Sequence, residues 1–491
     1  MKVRPVSLAL LCVCVACFLL HLLTNGQYGF HRDELATLDD AMHLDWGYAA
    51  YPPVTPFLAR VGLTLFGSTP MAVRVLAALA QALVIWFTGW IAREIGGSAR
   101  SQVVAALAVA VSPVSLSAGH LFQYVSFDFL WAVLLVYFVL RLVNSSDARW
   151  WLAVGGAIGL GMMTRYTIAW LVAGLAIGFL LTETRRYLTS AWMVAGAALA
   201  LLILLPNLIW QVRHGFVSFD FLRSIHARDV RIGRTDGFLW KQLLVPAHPF
   251  TIPLWIAGLF FYFRRTEGRR YRILGWAFVA TLILFAAVRA RDYYTAPLYP
   301  LLLAAGAVVS DQWAGWAKGL TWAGLAAALI LGVAFVLPVA PLGSRWAEIS
   351  MRVDGDLREE VGWQELVATV AKVRDSLPVS ERAAAGILTG NYGEAGAIDW
   401  YGGRYGLPKA LSRVNSFWLR GYGDSPPQTL VIVGLSPKFV QTHFAACESR
   451  GTITNRLGVA NEETEADKYL WVCRGLREPW PEFWRRIRVW A

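Results

Sequence analysis

Gly29-Phe30-His31-Arg32-Asp33-Glu34-Leu35 follows directly on the first apolar run of the chain, residues 8–23. Four ionisable residues in a row, placed where a membrane helix ends, are costly unless water, a metal or a substrate satisfies them. The segment therefore reads as a functional site at a membrane boundary.

Working outward from it, apolar runs of about 20 residues, the length a bilayer requires, recur as far as Pro341. The chain has 491 residues, of which only 16% are charged, against roughly a quarter in soluble domains. Beyond Pro341 charged residues, Gly and Asn return and no run is long enough to span. The expected architecture is an α-helical polytopic membrane domain over residues 1–340, with a structured first external loop at 25–70. A soluble α/β domain over residues 341–491 follows. About eleven spans are expected, near 6–24, 71–93, 101–118, 124–142, 149–163, 166–182, 190–211, 251–263, 272–288, 294–310 and 319–340. The stretch 149–182 also reads as a re-entrant pair or one long tilted helix.

The net charge of +12 is carried by arginines in short loops, such as Arg185-Arg186, Arg264-Arg265 and Arg269-Arg270. That is the positive-inside pattern of cytoplasmic loops. With Met1-Lys2-Val3-Arg4 inside, the first run is an uncleaved anchor, and an odd span count places 341–491 outside. No basic helix with interleaved aromatics suggests nucleic acid. Cys12, Cys14 and Cys17 read as apolar packing within the first span. Cys447 and Cys473 can form a disulfide if their domain lies outside the cytoplasm; two buried thiols are the alternative.

Within the first loop, Asp39-Asp40-Ala41-Met42-His43-Leu44-Asp45-Trp46 reads as a short amphipathic helix with Trp46 at the interface. Residues 57–66 read as a second interfacial helix behind the stiff Tyr51-Pro52-Pro53. Such a loop can roof a cavity.

Asp33 and Glu34 are neighbours, so they point in different directions and suit different tasks. One can take a proton from an acceptor hydroxyl while the other orients it or binds a metal; a solvated carboxylate pair is the plain alternative. Asp128 opens the fourth span among Phe and Trp. It can share a divalent cation (Mg or Mn) with Asp33, or complement a helix dipole. Arg165 interrupts apolar sequence and wants a phosphate or carboxylate, with an Asp128 ion pair or snorkelling as alternatives. Arg291 with Tyr293 and Tyr294 suits a phosphate, or an aromatic belt with anchoring charges. His214, His226 and His248 match no zinc spacing. The sequence has no P-loop, dinucleotide fingerprint, His-Glu-x-x-His or Gly-x-Ser-x-Gly, which argues against nucleotide hydrolysis and zinc proteolysis.

The run Tyr28-Gly29-Phe30-His31-Arg32-Asp33-Glu34-Leu35, then Trp46-Gly47-Tyr48 and Pro52-Pro53, resembles the first external loop of bacterial membrane glycosyltransferases. These are related to protein O-mannosyltransferases, aminoarabinose–lipid A transferases and lipopolysaccharide-core galacturonosyltransferases. The resemblance continues in Leu205-Pro206-Asn207-Leu208-Ile209-Trp210-Gln211, in Arg291-Asp292-Tyr293-Tyr294 with Pro297 and Pro300, and in Gly390-Asn391-Tyr392-Gly393-Glu394. It implies a type C glycosyltransferase fold, a polyprenyl-phosphate sugar as donor, and a lipid, glycan or protein acceptor. The active site would face away from the cytoplasm, in a bacterial inner membrane. It implies Asp33 as catalytic base or metal contact with Glu34 beside it, and Asp128 as the second-loop acid. Arg165 stands where many relatives carry Lys. Arg165, Arg291, Tyr293, Tyr294, His31 and Arg32 are then the candidate ligands of the donor phosphate. The competing function is a transporter or flippase, with Asp33, Asp128 and Arg165 lining a path.

In the last domain, residues 363–376 and 437–447 read as helices, and 385–389, 429–434 and 468–473 as strands, giving a small α/β layer. Asn391-Tyr392-Gly393-Glu394 reads as a turn and helix cap, or as a contact to an acceptor.

Overall fold

The computed structural model describes residues 7–491; the basic Met1-Lys2-Val3-Arg4 segment lies outside the described residues. Among the described residues six helices are long and apolar enough to cross a membrane: Pro70–Glu94, Tyr124–Ser145, Ala191–Arg213, Arg269–Ala287, Asp292–Ser310 and Gly315–Val336. Two further apolar helix pairs are bent, Ala99–Ala110 with Pro113–His120 by 70° and Ile168–Leu180 with Glu183–Thr189 by 111°, each the geometry of a broken span or a re-entrant loop. Shorter apolar helices cover Leu8–Thr24, Val54–Phe66 and Trp150–Met162. The chain is a multi-pass membrane protein. The first bend falls at Pro113, whose missing N–H cannot continue the preceding helix. Residues 149–182 form two helices, and Arg165 lies in the break between Trp150–Met162 and Ile168–Leu180.

The first loop contains a helix over Arg32–Met42, here called the loop helix, and a second over Val54–Phe66. The amphipathic helix expected over 39–46 is displaced towards the N-terminus. A capping box between His31 and Glu34 starts it, and it ends at His43. Asp39 and Asp40 are not on a solvated face. Both turn inward to Arg420, whose Nη1 lies 2.5 Å from Asp39 Oδ2 and whose Nη2 lies 2.6 Å from Asp40 Oδ1.

The C-terminal part carries a five-stranded sheet in the order β2-β1-β3-β5-β4. The strands are β1 Gly386–Thr389, β2 Ala410–Ser412, β3 Thr429–Val433, β4 Phe444–Thr452 and β5 Tyr469–Leu476. β1 runs parallel to β2 and β3, while β5 is antiparallel to β3 and β4. The helix expected over 437–447 stops at His443, and the chain continues as β4. Pairing with β5 overrides local helical preference there, because Cys447 lies directly opposite Cys473 and is bonded to it.

The sheet domain rests on the loop helix. One hydrophobic core runs from Leu35 and Leu38 to Trp363, Leu366 and Val431 without interruption. The helix Tyr392–Tyr401, here the docking helix, makes this contact. A Cβ on Gly396 would meet the backbone carbon of Leu35 at 2.7 Å. The missing side chain is what lets the two helices touch.

Candidate active site

The start of the loop helix decides what Asp33 and Glu34 can do. His31 is the N-cap, and its Nδ1 accepts from the Asp33 N–H at 3.1 Å. Glu34 sits at the third helical position and points into the protein, fully buried. Its Oε1 accepts from Arg74 Nε at 2.8 Å and from the Phe122 N–H at 2.7 Å. Its Oε2 accepts from Arg74 Nη2 at 2.6 Å and from the His31 N–H at 2.8 Å. All four acceptor positions are taken, so Glu34 has none left for an acceptor hydroxyl. The catalytic role expected for Glu34 gives way to that of a buried anchor.

Arg74 is equally buried and also donates to the carbonyls of Asn25 and Gly29 and to Glu360 Oε2 at 3.2 Å. His120 Nε2 pairs with Glu360 Oε1 at 2.7 Å. Burial works against the Glu360 carboxylate, but His120 and Arg74 outweigh it and hold its pKa below the usual value. This cluster joins the first loop, two membrane helices and the C-terminal segment. Arg74 and His120 were readable as charges within apolar sequence, but nothing local ties them to Glu34.

Asp33 faces the other way, with its side chain 35% exposed. Tyr392 Oη donates to Oδ1 at 2.8 Å and Gln123 Nε2 donates to Oδ2 at 3.2 Å. Burial raises the Tyr392 phenol, so it stays a donor across the physiological range. Two neighbours thus hold the carboxylate in place, and lone pairs remain open towards solvent. Tyr392 is the first residue of the docking helix. Asn391 and Glu394 form a capping box at that helix start, the turn-and-cap role read from sequence. Glu394 is pushed up to about 7 by burial.

His31 and Arg32 do not join a phosphate pocket. His31 is buried and used as a cap. Arg32 pairs with Glu462 of the C-terminal domain and lies over the Tyr392 ring, 4.9 Å from its centroid. Local helix geometry turns both away from the expected ligand.

Arg165, Arg291, Tyr293, Tyr294 and Asp128 are brought together as the sequence suggested. Arg165 Cζ lies 4.3 Å from the Tyr294 ring centroid, 4.7 Å from that of Tyr124 and 5.8 Å from that of Tyr293. Its Nη1 is 3.6 Å from Asp128 Oδ2, which accepts from Thr167 Oγ1 at 3.2 Å. Arg291 Nε donates to Asp229 Oδ2 at 2.5 Å and its Nη1 to Tyr293 Oη at 3.2 Å. Tyr124 lies within electrostatic reach of Asp33, Arg165, Tyr293 and Tyr294 at once. Gln123-Tyr124, at the start of Tyr124–Ser145, therefore link the carboxylate half of the site to its cationic half.

A shared cation on Asp33 and Asp128 does not fit this arrangement. Asp128 turns its oxygen to Arg165 and Thr167, while Asp33 is held by Tyr392 and Gln123. Among the described residues no three His, Cys, Asp or Glu side chains are grouped to hold a metal.

The Asn207 to Gln211 segment ties the loop to this cage. Asn207 Nδ2 donates to the Trp46 carbonyl at 2.8 Å, and Tyr166 Oη donates to Asn207 Oδ1 at 2.7 Å. Trp210 Nε1 donates to Asp45 Oδ2 at 2.7 Å. Gln211 Nε2 reaches Ser218 Oγ at 2.6 Å, on the helix Val217–Arg231, here the roof helix. That helix also supplies Asp229 and Arg228, which sequence reading missed. The loop at 212–250 showed only its histidines as candidates.

Residues 50–210 match the dolichyl-phosphate-mannose-protein mannosyltransferase family. The chain is 28% identical over 305 residues to the lipid A galacturonosyltransferase RgtD of Rhizobium johnstonii. That match covers 59% of this chain, and the chain spans 62% of the relative's length. ArnT of Cupriavidus metallidurans has the same fold. Its undecaprenyl phosphate complex superposes with a TM-score of 0.60 at 16% identity, covering 94% of this chain and 97% of ArnT. Its apo form gives 0.63 at 17% identity with the same coverage. The mycobacterial arabinofuranosyltransferase AftD gives 0.53 at 14% identity, covering 96% of this chain and 42% of AftD. The expected likeness to lipid-linked membrane glycosyltransferases is met by these matches, and the helical membrane fold with a small C-terminal sheet domain is borne out.

Proposed function

We propose that the protein is an integral-membrane glycosyltransferase that moves a sugar from a polyprenyl-phosphate donor to a hydroxyl of an acceptor lipid. In this reading the reaction occurs on the external face of a bacterial inner membrane; the Cys447–Cys473 disulfide, a bond that persists in oxidising compartments, supports that side. The likeness to a lipid A galacturonosyltransferase and to a structure holding undecaprenyl phosphate supports both substrates. The observation that carries the reading is a held but accessible Asp33 joined through Gln123-Tyr124 to the cationic cage of Arg165 and Arg291.

The chemistry is a single displacement. Asp33 takes the proton of the acceptor hydroxyl as that oxygen bonds to the anomeric carbon. The bond from that carbon to the phosphate oxygen breaks, and polyprenyl phosphate leaves with the electron pair. Arg165 and Arg291 stabilise the charge that grows on the phosphate. Their tyrosine surroundings keep both guanidiniums oriented before substrate arrives. One inverting displacement needs one base, unlike a two-carboxylate glycosidase.

The test is a purified, reconstituted protein supplied with a polyprenyl-phosphate sugar and an acceptor lipid. Release of polyprenyl phosphate in step with glycosylated acceptor is expected. Movement of the lipid-linked sugar across the bilayer with no transfer would replace this reading with a flippase.

A further inference from the structure

Among the described residues Arg228 is a site arginine whose guanidinium makes no hydrogen bond, and its Nε is buried. Leaving a buried donor without an acceptor is costly, and a guanidinium presents five donors in a fixed fork. Its nearest carboxylate is Asp229, with Oδ1 at 3.7 Å from Nη2, beyond hydrogen-bond range. Asp229 cannot serve it well. Oδ2 is taken by Arg291 at 2.5 Å, and Oδ1 also faces Arg234 at 3.8 Å. One carboxylate stands among three guanidiniums.

The position of Arg228 is as telling as its vacancy. Its charge acts on the Tyr392 phenol, the group that donates to Asp33. Arg291 takes the other oxygen of Asp229 and donates to Tyr293, while Arg165 lies over the Tyr294 ring. An anion spanning Arg228 and Arg291 would be pressed against Asp229, so a single phosphate does not suit both. The roof helix that carries Arg228 is held from beneath by Ser218, which donates to the Tyr48 carbonyl at 2.8 Å, while Phe219 and Leu222 are exposed on its surface.

Resting on the transferase reading above, we propose that Arg228 forms a second anion-binding position beside the Arg291–Asp229 pair. It takes a carboxylate or phosphate carried by the transferred sugar or by the acceptor, and so selects an acidic substrate. A planar fork matches either oxyanion in two-pronged fashion.

The experiment compares two donors and two acceptors with wild-type protein, Arg228→Gln and Arg228→Lys. The donors are polyprenyl-phosphate-linked galacturonic acid and galactose, which differ only in a carboxylate. The acceptors are one lipid with and without its phosphate. All proteins are first matched for monodispersity and thermal midpoint. The wild type should prefer one acidic substrate, and Arg228→Gln should lower kcat/KM for that substrate about ten- to hundredfold. The neutral counterpart should change less than about threefold. Arg228→Lys should restore part of the preference. Preference lost between donors assigns the anion to the sugar, and preference lost between acceptors assigns it to the acceptor. Equal loss on acidic and neutral substrates, or no preference in the wild type, overturns the inference and leaves the transferase standing. Absence of transfer from any donor removes the transferase reading and the inference together.

Discussion

Adjacent carboxylates Asp33 and Glu34 should respond to the same isosteric change in opposite ways. Glu34 accepts four N–H groups, two on each oxygen. A carboxamide accepts on one oxygen only, so Glu34→Gln sets an NH2 against two buried donors in either flip. Each unsatisfied buried donor costs about 1–3 kcal/mol. Arg74 also loses half of its carboxylate pairing and keeps only Glu360. Breaking a buried ion pair from one side costs about 3–5 kcal/mol, and the two estimates overlap. Asp33→Asn removes one acceptor of two from a partly exposed group, where water substitutes, and should cost less than about 1 kcal/mol. The assay is denaturant unfolding of the detergent-solubilised protein followed by its 23 tryptophans. Combining Glu34→Gln with Arg74→Met removes both the charge and its unmet partner. The double variant should lose at least about 1 kcal/mol less than the sum of the singles. Glu34→Gln within 1 kcal/mol of wild type, or Asp33→Asn less stable than Glu34→Gln, would refute the division of labour.

Arg165→Ala should reduce transfer about a hundredfold or more, as expected for loss of a group stabilising phosphate charge. Arg165→Lys should be intermediate, because an ammonium keeps the charge but not the stacking on Tyr124 and Tyr294; steady-state rates with one donor decide this. Cys447→Ser with Cys473→Ser opens a loop with a sequence separation of 26, and should lower stability by about 3.5 kcal/mol in the chain-entropy picture. Unfolding curves with and without reductant check it: reductant should shift the wild type and leave the double variant unchanged. Glu463 is pushed up from 4.5 to about 8 by burial, against Arg32 and with Glu359 and Glu394 adding. The folded state therefore holds its proton more tightly. Stability from this group is complete below about pH 4.5 and disappears as pH rises to about 8. Hydrogen-exchange protection at residues 461–465, taken relative to the intrinsic rate at each pH, should fall over that window, and Glu463→Gln should flatten the response. Unchanged or greater protection at high pH in the wild type would contradict it.

Span positions were legible because a bilayer demands long apolar runs, and loops such as Glu183–Thr189 punctuate them with charge. Asp33, Arg165, Arg291 and the tyrosines were legible for the same reason: each is expensive at a membrane boundary without a partner. What sequence could not supply was the partner. Glu34 and Asp33 look alike as neighbours, and only the capping box and Arg74, 40 positions away, separate them. Tyr392 lies 359 positions from the carboxylate it holds. Arg228 sits in a long loop of mixed charge, where no local pattern marks one arginine over the next. The helix expected over 437–447 failed because β5 and a disulfide fix the backbone of that stretch from outside it.

The most direct measurement is single-turnover transfer from a polyprenyl-phosphate sugar by wild-type protein and by Asp33→Asn, both shown to unfold at the same denaturant concentration. A loss of about 10²- to 10⁴-fold in the chemical step is predicted, with donor affinity retained. An Asp33→Asn protein that turns over at the wild-type rate would contradict the assignment of the base and the mechanism built on it.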